Sequence, residues 1–135
     1  MKYTLEQLES LMTKARILGK LTQLNTKCGH AMYLIKDISD GTNLLYIPDD
    51  VECITKSKNP SYCDIECKTL KVIGGRNLRD TNKMFFKCKA QSIDLSDFNT
   101  SQVTDMNSMF ESCESQSIDL SSFDTSQVKK HEFHV

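Results

Sequence analysis

The chain has 135 residues, a length typical of one domain, and 39% of them are hydrophobic and 26% are charged. Its formal net charge of -1 provides no overall field that would attract nucleic acid or anionic lipid. The sequence contains neither a signal-peptide pattern nor an apolar run long enough to span a membrane. These features predict a cytoplasmic protein, in which the six cysteines are free thiols or metal ligands.

Two elements are predicted in the first third of the chain. Residues 4–18 have apolar side chains at spacings of three and four, which is typical of an amphipathic helix. Thr4 and Gln7 are suited to a capping box at its start, and Gly19 is suited to its end. Residues 31–47 consist of two β-type runs around a polar turn that contains glycine, and they predict a β-hairpin.

Charged residues are unevenly distributed farther along the chain. Residues 68–89 contain seven basic residues and one acidic residue, Asp80. Residues 90–128 contain seven acidic residues and no basic residue. A basic band is therefore followed directly by an acidic band, and charge of this kind can orient a protein partner.

An internal repeat occupies the second half of the chain. Residues 92–103 return as residues 117–128, at an offset of 25, and residues 82–88 return in part as residues 107–113 at the same offset. Paired apolar strand positions recur in the same way, at residues 45 and 47, 70 and 72, 93 and 95, and 118 and 120. The repeat therefore extends back into the middle of the chain.

Each repeat unit is predicted to contain a short strand followed by a short helix. Ile93 and Leu95 alternate with polar residues, as in a strand with one buried face. Thr100 and Ser101 are helix N-cap types, and residues 103–113 have apolar side chains at helical spacing. One such unit cannot bury its own apolar face, but stacked units can.

These stretches resemble a known family. Residues 94–103 and 106–113 are similar to the D-L-S-x-F-D-T-S-x-V and M-x-x-M-F-x-x-C stretches of the BspA-like leucine-rich-repeat family. The segment from Ile47 to Val51 is similar to a second repeat type of that family. The resemblance extends over residues 45–128, and it implies a leucine-rich-repeat solenoid with a protein-binding role.

The predicted fold class is therefore an α/β repeat. We expect a short leucine-rich-repeat solenoid with a narrow parallel sheet, capped by an N-terminal helix and β-hairpin. The expected parts are a cap at residues 1–43, a solenoid of about four turns at residues 44–128, and a C-terminal tail at residues 129–135.

In such a solenoid, strand residues that point away from the core line a concave surface, which we expect to bind another protein. The candidate contact residues lie on this surface or in the basic band, and they are Tyr46, Lys71, Asp94, Ser96, Asp119, Ser121, Arg76 and Arg79. The chain is thus predicted to be a non-enzymatic module, without catalytic residues or a cofactor, that occupies a surface of its partner protein. An extension of this hypothesis is a phage or mobile-element inhibitor of a bacterial defence system.

Other functions stay open at this point. The resemblance also implies a bacterial surface or adhesion-type repeat protein. Cys28, His30, Cys63 and Cys67 offer an alternative zinc or Cys-dependent site, although their spacing is not that of common zinc modules. For an exported protein, a disulfide is a further alternative, and it would join two of the four residues Cys28, Cys53, Cys63 and Cys67.

Two more features are weighed against simpler explanations. The basic band suggests nucleic acid, but Phe85 aligns with Phe110, which we expect in the core, so no stacking platform is left. Nucleic acid therefore ranks below a protein partner. His131 and His134 are spaced for a metal, but a solvated tail is the favoured explanation.

Overall fold

The computed structural model describes residues 3–54 and 61–128. Within them lie one α-helix, α1 (Leu5–Ile17), and one short 3-10 helix (Ser61–Asp64). All six strands belong to a single sheet. The strands are β1 (Leu21–Asn25), β2 (Ala31–Ser39), β3 (Thr42–Ile47), β4 (Thr69–Gly74), β5 (Ser92–Phe98) and β6 (Ser117–Asp119).

The strands lie in the sheet in the same order as in the chain. β1, β2 and β3 pair antiparallel, whereas β3, β4, β5 and β6 pair in parallel. Antiparallel neighbours need only short turns, but each parallel neighbour needs a crossover that returns the chain to the same end of the sheet. The crossovers after β3, β4 and β5 form a second layer, which packs on one face of the sheet.

The predictions for the N-terminal helix and the hairpin are confirmed. The hydroxyl of Thr4 accepts a hydrogen bond from the Gln7 N–H at 3.1 Å, and the Gln7 side chain accepts one from the Thr4 N–H at 2.9 Å. These two bonds form the expected capping box at the start of α1. β2 and β3 form the hairpin. β1 was not predicted, because Leu21 and Leu24 are three residues apart rather than two.

The predicted helix within each repeat is wrong. Residues 82–87 and 107–112 form turns rather than helices. Lys83 and Ser108, which are 25 residues apart, both have a φ of 58°. A residue in this left-handed region does not continue a right-handed helix, so the chain bends at the same place in both repeats.

Hydrogen bonds between neighbouring repeats explain this difference. The N–H of Phe85 donates to the carbonyl of Met109 at 2.8 Å, and the N–H of Lys87 donates to the carbonyl of Glu111 at 3.1 Å. An N–H that bonds to the next repeat cannot also bond to the carbonyl four residues earlier, as a helix requires. The apolar side chains that suggested a helix therefore point into the core from a series of turns.

Both faces of the sheet are covered, by different parts of the chain. On one face, apolar strand residues pack against the crossovers, and the fully buried members of this main core include Leu45, Ile47, Leu70, Val72, Phe85, Leu95 and Phe110. On the other face, α1 buries Leu8 and Ala15 against Ile35, Leu44 and Ile73. Because these three residues belong to β2, β3 and β4, α1 covers only the N-terminal part of that face.

The protein is thus a mixed six-stranded sheet with one helix, and the expected α/β leucine-rich-repeat solenoid is wrong. This difference in fold affects the expected binding surface, because α1 lies on the face that was expected to be open and concave. The expected tail at residues 129–135, with His131 and His134, lies outside the described residues. No helix in residues 3–54 and 61–128 is both long and apolar enough to cross a membrane. The expected cytoplasmic location stays a prediction.

Candidate binding surface

Parallel pairing aligns the side chains of successive repeats in columns. Leu44 of β3 lies opposite Lys71 of β4, which lies opposite Asp94 of β5, which in turn lies opposite Asp119 of β6. We define the outer face as the sheet face that carries these four residues. Along this column the side chains change from apolar to basic to acidic, and only the apolar end is covered by α1.

Lys71 lies at the centre of a partly buried ion cluster. Its side chain is 13% exposed, and its Nζ lies 3.3 Å from Oδ2 of Asp94 and 3.0 Å from Oδ2 of Asp97. Burial alone lowers the pKa of Lys71, but the two carboxylates outweigh that effect and raise it. Burial likewise raises the pKa of Asp94 and of Asp97. For each carboxylate, contacts that include Lys71 outweigh burial and lower the pKa below its usual value. We call these three residues the Lys71 cluster.

Asp97 was not among the predicted site residues. The pairing of β4 with β5 shifts in register between Lys71 and Ile73, and as a result Asp97 lies opposite Ile73. A strict alternation of strand residues therefore gives no reason to place Asp97 near Lys71. The sequence does contain one signal, since the residue at the same position of the next repeat is Ser122, so the carboxylate belongs to one repeat only.

Tyr46 is not an exposed contact residue. It is half-buried among the residues that pack around α1, and its ring stacks on that of Tyr33 with 6.5 Å between centroids. Burial, and then the nearby carboxylates of Asp49 and Asp50, raise the pKa of Tyr46. Tyr46 and Lys71, both expected on an open surface, are thus engaged within the protein.

The acidic residues of β5 and β6 are held by short local hydrogen bonds. Oδ1 of Asp94 accepts bonds from the N–H of Ser96 at 3.0 Å and from its hydroxyl at 2.6 Å. Oδ1 of Asp119 accepts a bond from the N–H of Ser121 at 2.9 Å. Asp119 and Ser121 are exposed, whereas Asp94 and Ser96 are half-buried. These contacts fix the direction of both carboxylates.

Arg76 and Arg79 lie in the crossover after β4. The guanidinium of Arg76 lies 3.3 Å from Oδ2 of Asp49, and both side chains are well exposed. Arg76 and Tyr46 line one pocket on the outer face together with Asp97. Arg79 does not line that pocket; its carbonyl accepts a bond from the N–H of Thr104 at 2.8 Å, while its side chain is exposed.

The basic band also contains cation–π contacts that were not predicted from the sequence. The Nζ atoms of Lys83 and Lys87 lie 5.2 Å and 5.3 Å from the centre of the Phe86 ring. Both distances fall within the range of cation–π contacts. The left-handed φ of both lysines, 58° and 55°, places their side chains beside this ring, and residue spacing does not reveal that.

The C-terminal end of the sheet, as far as residue 128, carries carboxylates and no basic residue. We call this region the acidic end and define it by Glu111, Glu114, Asp119 and Asp124. None of the four forms an ion pair with any residue in the described parts of the chain. β6 pairs with β5 alone, so one of its edges has no strand partner within residues 3–54 and 61–128, and Leu120 beside it is 42% exposed.

The four residues of the alternative zinc site are not brought together. Cys28 lies in the turn between β1 and β2, whereas Cys63 is fully buried and its thiol lies 3.4 Å from the carbonyl of Met84. Residues 3–54 and 61–128 contain no group of three or more His, Cys, Asp or Glu side chains that could hold a metal ion. All six cysteines are free thiols.

These observations define a class of protein: a sheet built partly from stacked repeats, whose last strand lies among carboxylates and pairs on one side only within the described residues. Residues 62–134 match the family described as "Mycoplasma protein of unknown function, DUF285", and the chain belongs to that family. The resemblance to the BspA-like leucine-rich-repeat family is therefore wrong, and the adhesion-type alternative that depended on it loses its basis. Comparison with curated proteins and with solved structures gave no match.

Proposed function

We propose that the protein is a binding module for another protein and that the acidic end is its contact surface. One observation carries the proposal: β6 presents an open strand edge among carboxylates that have no basic counterpart within the described residues. The proposal keeps the expected mode of action, in which the module occupies a surface of its partner without catalysis. It moves the site from the centre of the sheet to its C-terminal edge.

The open edge of β6 supports an extended partner segment. A strand at the edge of a sheet has backbone N–H and C=O groups without a strand partner, and another chain can pair with them. Such addition of a strand supplies backbone hydrogen bonds, while neighbouring side chains determine which sequence is accepted. β6 is short, Ser117–Asp119, so few of its own side chains can contact a partner segment. The side chains around β6 therefore determine most of the preference for a partner sequence.

The charge of the acidic end supports a partner segment rich in lysine and arginine. Lys71 forms ion pairs with the carboxylates of Asp94 and Asp97, but no cation in the described residues forms an ion pair with Asp119 or Asp124. Complementary charge accelerates association and orients the partner. We therefore expect a basic, extended segment of another protein, and we expect its affinity to fall as the salt concentration rises.

The rest of the outer face fits a partner less well. α1 packs on β2, β3 and β4 and buries Leu44 and Ile73. Tyr46 is half-buried and Lys71 forms ion pairs with two carboxylates, so both are less accessible to a partner than Asp119 and Ser121. Of the predicted contact residues, we assign the binding role to Asp119 in β6 and to Ser121 just after it. That the partner belongs to a bacterial defence system stays a prediction.

A charge-reversal experiment tests this proposal. The tagged chain and its Glu114→Lys/Asp119→Lys variant are used to capture proteins from a cell lysate, and the captured protein is then purified for calorimetric titration. We expect the variant to bind at least about tenfold more weakly, because two attractive charges become repulsive. Both substituted side chains are exposed, so the fold should be unaffected.

The matched control reverses two acidic residues elsewhere. Glu9 on α1 and Asp40 in the turn between β2 and β3 are also exposed, and the Glu9→Lys/Asp40→Lys variant makes the same change in net charge. It should capture the same protein with unchanged affinity. Equal weakening by both variants, or by neither, would contradict a contact surface at the acidic end.

A further inference from the structure

The turn between β1 and β2 holds a cysteine in an unusual environment. Cys28 is half-exposed, and its sulfur lies 3.1 Å from the hydroxyl oxygen of Thr26. The turn itself is closed by a bond of 3.0 Å from the N–H of Thr26 to the carbonyl of His30. The thiol is therefore held at the tip of a short, hydrogen-bonded turn, where small molecules from solvent can reach it.

A second thiol lies directly beside the first. Cys53 follows β3, 25 residues after Cys28, and is also half-exposed. The sulfur of Cys28 lies 3.8 Å from the carbonyl oxygen of Cys53. A disulfide requires two sulfur atoms that can approach to about 2.05 Å, and the sulfur of Cys28 already lies beside the main chain of the second cysteine.

We propose that Cys28 and Cys53 form a thiol–disulfide exchange site that reacts with a low-molecular-weight disulfide and closes an intramolecular disulfide. Cys28 is the attacking residue and Cys53 the resolving residue. The resulting bond joins the tip of the turn between β1 and β2 to the segment after β3. This site is distinct from the acidic end, and it does not depend on the proposed function.

The electrostatics of the pair agree with these two roles. Burial raises the pKa of Cys28, but the Thr26 hydroxyl and backbone hydrogen bonds at Glu52, Cys53 and His30 outweigh burial and lower it to about 6. Burial, and then the Cys28 thiol, raise the pKa of Cys53 to about 11. Since the thiolate is the nucleophile, Cys28 reacts first.

The reaction proceeds in two steps that balance. The Cys28 thiolate attacks one sulfur of the small disulfide, whose S–S bond breaks and releases one small thiolate. The Cys53 thiol then loses its proton to solvent and attacks the sulfur of Cys28, which releases the second small thiolate. Two cysteine thiols are oxidised, and one small disulfide is reduced to two small thiols.

The repeat provides a matched comparison pair. Cys88 and Cys113 are also 25 residues apart, and each changes the pKa of the other. Cys88 is fully buried, and although its bond to Cys113 lowers its pKa, the contact with Cys63 and burial raise it to about 12. The bond to Cys88, and then burial, raise the pKa of Cys113 well above the usual value. Neither member of this second pair is a ready nucleophile.

The experiment exposes the reduced full-length chain to oxidised glutathione at neutral pH and follows each cysteine by mass spectrometry. We expect loss of two hydrogen atoms from the chain, a Cys28–Cys53 cross-link in the peptide map, and full reversal by dithiothreitol. In Cys53→Ser, Cys28 should instead retain one glutathione as a mixed disulfide. Cys28 should react at least about a hundredfold faster than Cys113.

Three results would overturn the proposal. The first is an unmodified Cys28 after exposure to oxidised glutathione. The second is a Cys88–Cys113 cross-link that forms as fast as the Cys28–Cys53 cross-link. The third is a Cys53→Ser chain in which the mixed disulfide at Cys28 does not accumulate beyond its level in the unsubstituted chain. Circular dichroism of Cys28→Ser and Cys53→Ser verifies that both variants are folded.

Discussion

At the scale of single residues, the Lys71 cluster shows how burial changes the role of a charged side chain. On an open surface, Lys71 would be free to contact a partner. In the fold, its side chain is 13% exposed and lies within 3.3 Å of two carboxylate oxygens, those of Asp94 and Asp97. Replacing the lysine takes a cation away from two partly buried carboxylates, which is costly. The cluster therefore stabilises the pairing of β4 with β5.

Replacing Lys71 tests this role. Lys71→Met should lower the free energy of unfolding at neutral pH by about 3 kcal/mol, because Asp94 and Asp97 lose their common cation. Arg76→Met is the control, since its pair with Asp49 is well exposed and should contribute less than about 1 kcal/mol. Urea denaturation of the three chains measures both values.

The pH dependence of the same variant checks the cause. The folded-state pKa of each carboxyl is lowered, so its contribution is present above the usual value of 3.8 and is lost as the pH falls through the folded value. The pKa of Lys71 is raised, so its contribution is lost only as the pH rises above 10.5. The difference between wild type and Lys71→Met should thus be largest between these limits. A difference independent of pH would show that packing, not charge, explains the loss.

At the scale of elements, α1 owes its position to one apolar stripe and its ends to local hydrogen bonds. An isolated helix of 13 residues is marginal in water, so packing must hold it. Leu8 and Ala15 are its buried residues, and they contact the outer face of the sheet. By contrast, Leu5 and Ile17 are 65% and 80% exposed. The contact of α1 with the sheet therefore depends on few side chains.

Leu8→Asp should release α1 from the sheet. A carboxylate without a partner cannot remain in this apolar contact, and the helix alone is too short to persist. Amide hydrogen exchange should show loss of protection across residues 8–17 while β4 and β5 stay protected. Leu5→Asp is the matched control and should leave exchange unchanged. Persistent protection of α1 in Leu8→Asp would contradict this account.

At the scale of the whole molecule, the main core is continuous from β2 to the last described residues. Phe85 stacks on Phe110 with 5.4 Å between ring centroids, and Phe110 contacts Phe123 at 6.4 Å. The same cluster contains Met32 at one end and Val128 at the other. Since every repeat buries the apolar face of its neighbour, removal of contacts in one repeat should weaken the others.

Phe110→Ala tests this coupling. It should lower the free energy of unfolding by about 3–5 kcal/mol, the usual cost of removing a buried aromatic ring. The chain has no Trp, and its four tyrosines all lie at or before Tyr62, so tyrosine fluorescence reports on the N-terminal half of the chain. We expect the fluorescence midpoint to shift together with that of circular dichroism. A shift in circular dichroism alone would mean that the two halves unfold separately.

Local interactions explain which features could be predicted from the sequence. The capping box of Thr4 and Gln7, the hairpin at residues 31–47 and the repeat offset of 25 each depend on residues that are close together or that recur in the chain. The buried positions of Phe85 and Phe110 also follow from that recurrence. Neighbouring residues and a repeated pattern were sufficient to predict these features.

Contacts between distant segments decided the rest. The apolar side chains of residues 103–113 have helical spacing. The carbonyls of this stretch, however, accept bonds from N–H groups of the preceding repeat, such as that of Phe85. The spacing of apolar residues cannot reveal such bonds between repeats. Whether Lys71 is a contact residue or a buried cation depends on a register shift that brings Asp97 to it. Likewise, Cys28 and Cys53 meet only because a turn and a later segment fold side by side. Side-chain periodicity records which residues are buried, whereas backbone hydrogen bonding and register, set by tertiary packing, determine the structure that buries them.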